Sequence, residues 1–248
     1  MIINVARKEL KSVFASPMGW VILSLLMFAF GTQYLNGVND YFAVMSGAMR
    51  PAERTGVTQF VGQSVYGLAS FIMLFAVPLL SMRLISEERR SQTLPFLFSA
   101  PLSLTEIVVG KFLGLVAFLS ILVVFIGAML STLNIWSDID FGFLIANSLG
   151  LLLMVASFSA LGIYSSSLTQ QPVIAGILTF IALFALMMLD RFFAGVPANI
   201  LGSLSLTRHF QSFNSGLIDT ADIAYFILFA VTFLTLTVRR LDADRLRG

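Results

Sequence analysis

Arg83-Leu84-Ile85-Ser86-Glu87-Glu88-Arg89-Arg90, running on to Gly110-Lys111, is the longest charged stretch between two long apolar runs, and its reading decides the fold. Charges this dense cannot sit in hydrocarbon, where one at a helix centre costs about 2.5–3.5 kcal/mol on insertion scales. The stretch also holds Pro95, Pro101 and a short amphipathic piece, Thr93 to Ser99. Ser103-Leu104-Thr105-Glu106 follows, a capping box set directly before an apolar run and therefore a helix start. The whole reads as an ordered elbow between two membrane-crossing helices.

Composition agrees. Of 248 residues, 58% are hydrophobic and only 11% charged, against about 25% charged in a soluble domain. No stretch has the polar balance to fold as a separate soluble unit, so residues 1–248 read as one all-α transmembrane domain. Cysteine is absent, which excludes disulfides, zinc–thiolate sites and cysteine nucleophiles.

Working outward from the elbow, residues 2–16 place Ile3, Ala6, Leu10, Val13 and Phe14 on one helical face and Arg7, Lys8, Lys11 and Ser12 on the other. That pattern predicts an amphipathic helix lying in the membrane interface, ended by Pro17. A basic start, an apolar centre and Ala29-Phe30-Gly31 would also suit a secretory signal. Spans are expected at about 18–35, 64–82, 107–133, 142–166, 173–190 and 223–238. Asn36 to Gln63 reads as an external loop, and Ser165-Ser166-Ser167-Leu168-Thr169-Gln170-Gln171-Pro172 as a tight polar turn. Residues 197–216 keep apolar periodicity but are too short to span, which predicts a re-entrant or interfacial helix. Gly110-x-x-x-Gly114 and Ala156-x-x-x-Ala160 are small-residue pairs that permit close helix contact.

With both ends and the elbow inside, the inner segments hold Arg7, Lys8, Lys11, Arg83, Arg89, Arg90, Lys111, Arg239, Arg240, Arg245 and Arg247. The outer ones hold only Arg50, Arg54, Arg191 and Arg208. Eleven against four follows the positive-inside rule. No ionisable residue falls in the middle of a span, which argues against an ion-coupled pump. Gly110-Lys111 lacks the earlier glycine and the hydroxyl of a phosphate-binding loop. The lone His209 has no nucleophile or Cys to work with, so no catalytic or metal-ligating residue is expected. Energy must then come from a partner, and the elbow is where it would be received.

Glu87-Glu88-Arg89-Arg90-x-x-Thr93-Leu94, then Ala100-Pro101-Leu102-Ser103, then Glu106-Ile107-Val108-x-Gly110-Lys111-Phe112 resembles the signature of type-2 ABC exporter permeases. Lys8-Glu9-Leu10-Lys11 with Phe14-Ala15-Ser16-Pro17 resembles the gliding-motility branch of that family. His209-Phe210-x-x-Phe213-x-x-Gly216-x-Ile218-Asp219 is similar to the external helix of the same permeases. The chain departs from the pattern at Gln92, where the family usually has Gly, and at Pro95, where an acid is common.

The resemblance implies a permease subunit whose elbow, residues 83–106, couples to a separate ABC-type ATPase. Glu87, Glu88, Arg89, Thr93, Leu94, Phe96, Pro101, Glu106, Gly110 and Lys111 would carry that coupling, with Leu94 and Phe96 as apolar anchors. Glu87, Glu88 and Arg89 are expected to be exposed and their substitution nearly neutral for folding. ATP and Mg would sit on the partner, and this chain would bind no cofactor of its own. Further implied partners are a second permease copy or related membrane subunit, an auxiliary subunit with an external domain, and the lipid membrane, but no nucleic acid. The implied location is the bacterial inner membrane with both termini cytoplasmic. A subunit that transmits force to an external partner without moving a solute would have the same elbow.

Overall fold

A computed structural model describes residues 1–46, 56–93, 103–135, 138–192 and 204–247. The described residues form helices only: α1 (Ile2–Ala15), α2 (Pro17–Met45), α3 (Val57–Ser81), α4 (Ser86–Arg90), α5 (Leu104–Ser131), α6 (Phe141–Leu168), α7 (Pro172–Phe192), α8 (Leu206–Asn214) and α9 (Thr220–Arg247), with a 3-10 turn at Thr132–Ile135. Six of them are long and apolar enough to cross a membrane.

Local signals set four of the helix starts. Ser16 is extended and Pro17 opens α2, where a missing N–H costs nothing. Ser103 and Glu106 form the expected capping box, with Glu106 N–H donating to Ser103 Oγ at 3.1 Å and Ser103 N–H to Glu106 Oε2 at 3.0 Å. Asp140 caps α6 through Phe143 N–H at 3.1 Å. Asp219 caps α9 through Ala221 N–H at 2.9 Å.

The centre of the bundle is α6, which packs against α3, α5, α7, α8 and α9. Small residues let it serve that role, because Gly150, Ser157, Ala160 and Gly162 leave room for neighbouring helices. Gly150 faces the Phe213 ring and Gly162 faces Ser81. Polar cross-links reinforce the packing: Tyr66 Oη lies 2.6 Å from Ser148 Oγ, and Ser157 Oγ donates to the Phe226 carbonyl at 3.1 Å. Outer faces such as Leu25 and Phe28 on α2 and Ile177 and Ile181 on α7 stay exposed and apolar, as a lipid-facing surface requires.

Three expectations need correction. Among the described residues of 36–63 most are helix, since α2 runs to Met45 and α3 begins at Val57. At 29 residues, α2 is about 43 Å long, more than the ~30 Å hydrocarbon core. Polar residues there mark where the helix leaves lipid and not where it ends. Gly37 still packs on Val61 in that extension, with the position of a Cβ only 3.2 Å from Val61 Cγ1. Ser165, Ser166 and Ser167 belong to α6 and are buried, so the turn is shorter than expected. The last span does not end near 238: residues 239–247 continue α9 as helix, anchored by the buried Leu241.

Candidate functional site

The elbow helix α4 is five residues long, too short to be stable by itself, so its neighbours must hold it. At its start, the N–H groups of Ile85 and Ser86 donate to Ser166 Oγ at 3.1 and 3.0 Å, and that hydroxyl donates to the Met82 carbonyl at 3.0 Å. A serine eighty residues away thus does the work of an N-cap. At its end, Gln92 N–H donates to the Arg89 carbonyl at 3.2 Å and Thr93 N–H to the Glu88 carbonyl at 3.0 Å, the paired bonds of a Schellman stop. That stop needs a left-handed residue, and Gln92 supplies it at φ 56°. The family's usual glycine at this position has its physical reason here.

Ser166→Ala would leave two buried backbone donors without an acceptor, each worth about 1–3 kcal/mol. We expect a clear fall in the melting temperature of the purified protein, and faster amide hydrogen exchange confined to residues 82–93. Unchanged exchange there would show that the cap contributes nothing.

Lys111 is the centre of the site. It sits on α5 with its side chain only 3% exposed, and its Nζ lies 2.8 Å from Glu9 Oε1 and 2.6 Å from Glu88 Oε1. One ammonium therefore joins α1, α4 and α5. Burying it is tolerable only because two carboxylates face it. Beside it, Arg89 pairs with Asp244 of α9, which also lies 3.7 Å from Arg240. Glycines bring α1 close enough for these bonds. A methyl group added at Gly110 would lie 2.6 Å from Val5 Cβ and 3.1 Å from the Ile2 carbonyl oxygen. One at Gly114 would lie 2.8 Å from Glu9 Cβ and 2.9 Å from the Ala6 carbonyl oxygen. The small-residue pair therefore seats the interfacial helix on α5.

These contacts overturn the expectation that Glu87, Glu88 and Arg89 are alike. Glu87 and Arg90 are exposed, whereas the side chains of Glu88 and Arg89 turn inward and are 22% and 12% exposed. A helix turns 100° per residue, so adjacent acids point to different sides. Of the other expected coupling residues, Glu106 caps α5, Gly110 receives Val5, and Thr93 closes the α4 stop. Leu94, Phe96 and Pro101 lie outside the described residues. Glu9, Ser166 and Asp244 were not anticipated. Only Glu9 had a usable signal: it lies four residues from both Val5 and Val13, so this acid shares their half-buried side of α1.

At the far end of α6 from Ser166, α8 is sealed to the bundle. Phe210 and Phe213 are buried, and Phe213 meets the surface left open by Gly150. His209 Nδ1 lies 2.6 Å from Asp222 Oδ1, and its ring stacks on Tyr225 at 3.9 Å. Gly216 ends α8 at φ 85°, with the position of a Cβ 3.0 Å from the Phe143 ring. His209, Phe210, Phe213, Gly216 and Asp219 are thus brought together as packing and capping groups. Residues 197–203 of the expected helix lie outside the described ones.

What the arrangement offers is mechanical: a short helix, exposed on one face and bonded on the other to α5, α6 and α9, with α1 joined to it through Lys111. No curated protein matches the chain. A model of the ABC-2 family transporter protein matches residues 3–244. With that extent matched and six helices fit to cross a membrane, the chain belongs to the ABC-2 transporter family, as a multi-pass permease component that works with an ABC ATPase subunit.

Proposed function

We propose that this permease is an exporter subunit of the gliding-motility type, driven through its elbow. The observation that carries the reading is the two-sided α4. Its inner face is ion-paired to α5 through Glu88 and to α9 through Arg89, with α1 joined by way of Lys111, while Glu87 and Arg90 are exposed. A push on the outer face is delivered to those three helices together. The ATPase would hold ATP and Mg and dock on the outer face and on Leu94 and Phe96, and the permease by itself would hydrolyse no ATP. Two permease copies, or this chain and a related one, would face each other above two ATPases, with an auxiliary external subunit at the other end. The basic-residue bias supports the bacterial inner membrane with the elbow and both termini cytoplasmic.

The test measures partner affinity and melting temperature on one preparation. Arg90→Glu combined with Leu94→Ala and Phe96→Ala should weaken ATPase binding at least tenfold, because a few anchors dominate an interface. Melting of the isolated permease should hardly change. Full ATPase affinity in this variant would remove the elbow from the interface.

A further inference from the structure

The same end of the molecule contains a cavity of about 270 Å³ between α1, the α1–α2 corner, the end of α3 and α4. It is far too large for one water, whose share of liquid volume is about 30 Å³. Its wall grades from apolar to charged along the chain: Leu79 and Leu80 in the last turn of α3, then Arg83, then Glu87 and Ser91. From α1 come Lys8 and Ser12, on a helix whose composition places it at the membrane interface.

The charges are balanced, three bases (Lys8, Arg83, Lys111) and three acids (Glu9, Glu87, Glu88) in the lining. Lys111 is already committed to Glu9 and Glu88. Lys8 and Arg83 then carry no carboxylate partner among the described residues, Arg83 touching only the Met18 sulfur, and are the bases for an anion, with Glu87 for a cation. Glu88 adds to the second group, since its Oε1 is bonded to Lys111 while its buried Oε2 has no hydrogen-bond donor among the described residues. A simple anion would satisfy the bases and leave the acids opposed to it. A metal ion would have the reverse difficulty.

We propose that this cavity binds the headgroup of a zwitterionic aminophospholipid. The phosphate lies between Lys8 and Arg83, where charge-assisted bonds to phosphate oxygens are strong. The ammonium lies against Glu87 and Glu88, and the acyl chains leave over Leu79 and Leu80. The lipid would fill the space between α1 and α4 and brace the elbow, whether or not an ATPase docks on the outer face.

Native mass spectrometry of the full chain in detergent tests this with three probes: phosphatidylethanolamine, phosphatidylglycerol and soluble phosphoethanolamine. Phosphatidylethanolamine should bind about tenfold tighter than phosphatidylglycerol, and the soluble headgroup should bind far more weakly than either. Arg83→Gln should weaken both lipids about tenfold. Glu87→Gln should weaken phosphatidylethanolamine alone and so erase the preference. Arg83 and Glu87 are exposed, so both variants should fold, which their melting temperatures would verify. Equal affinity for the two lipids overturns the proposal, as does unchanged phosphatidylethanolamine binding in both variants. Soluble phosphoethanolamine binding as well as the lipid would make this a site for a free phospho-amine. Displacement of the lipid by an added ATPase would assign the cavity to the protein partner.

Discussion

Lys111→Met is expected to destabilise the purified permease by about 3–5 kcal/mol, the usual consequence of removing one partner from a buried ion pair. The ammonium is 3% exposed and holds two carboxylates. Without it, Glu9 and Glu88 face each other in a low-dielectric site with no counter-charge. Replacing all three positions by apolar residues (Glu9→Met, Lys111→Met, Glu88→Met) should recover most of the loss, because an apolar replacement of a whole buried cluster is often neutral. Glu87→Gln, one residue away on the exposed face, serves as the control and should stay within about 0.5 kcal/mol. Thermal unfolding of membrane proteins is commonly irreversible, so melting temperatures are compared at one scan rate. Equal melting temperatures for Lys111→Met and Glu87→Gln would show that the three-way ion pair stabilises nothing.

Gly114→Leu is expected to separate α1 from α5. The new Cβ alone would approach the Ala6 carbonyl oxygen to 2.9 Å, and a helix carbonyl cannot move aside unless the helix moves. Overpacking costs typically about 1–3 kcal/mol, and lifting α1 also draws Glu9 from Lys111. The local propensity effect has the opposite sign, since glycine in a helix is about 1 kcal/mol worse than alanine. Gly67→Ala isolates that gain, as nothing lies within 4 Å of the added methyl group. Limited trypsin digestion reads the difference, because Arg7, Lys8 and Lys11 are cleavable only once α1 is undocked and unwound. Gly67→Ala should resist trypsin as the parent does, while Gly114→Leu should be cut early in α1. Parental resistance in Gly114→Leu would mean that the close approach of the two helices is dispensable.

How far the structure was legible beforehand can be followed at particular residues. Six spans, the Pro17 break, the Ser103 capping box and the amphipathic α1 could all be read directly. Each depends on a window of at most about twenty residues: hydropathy sums over one span, and a cap acts within a single turn. The ends of α2 and α3 were misread for the same reason. Polarity around Asn36 and Gln63 reports depth in the membrane, while helix length there is set by packing of Gly37 on Val61.

The sequence by itself determined that this is a six-span, all-helical membrane protein with a charged elbow between its second and third spans. Only the tertiary structure decided which face of that elbow is bonded inward. Glu9 meets Lys111 across 102 positions, Ser166 caps Ser86 across 80, and Arg89 finds Asp244 across 155. A buried charge or backbone donor requires a partner, but the requirement does not say which residue will supply it. That choice follows from how closely helices approach, and here the approach is set by Gly110 and Gly114, whose missing side chains let α1 reach α5.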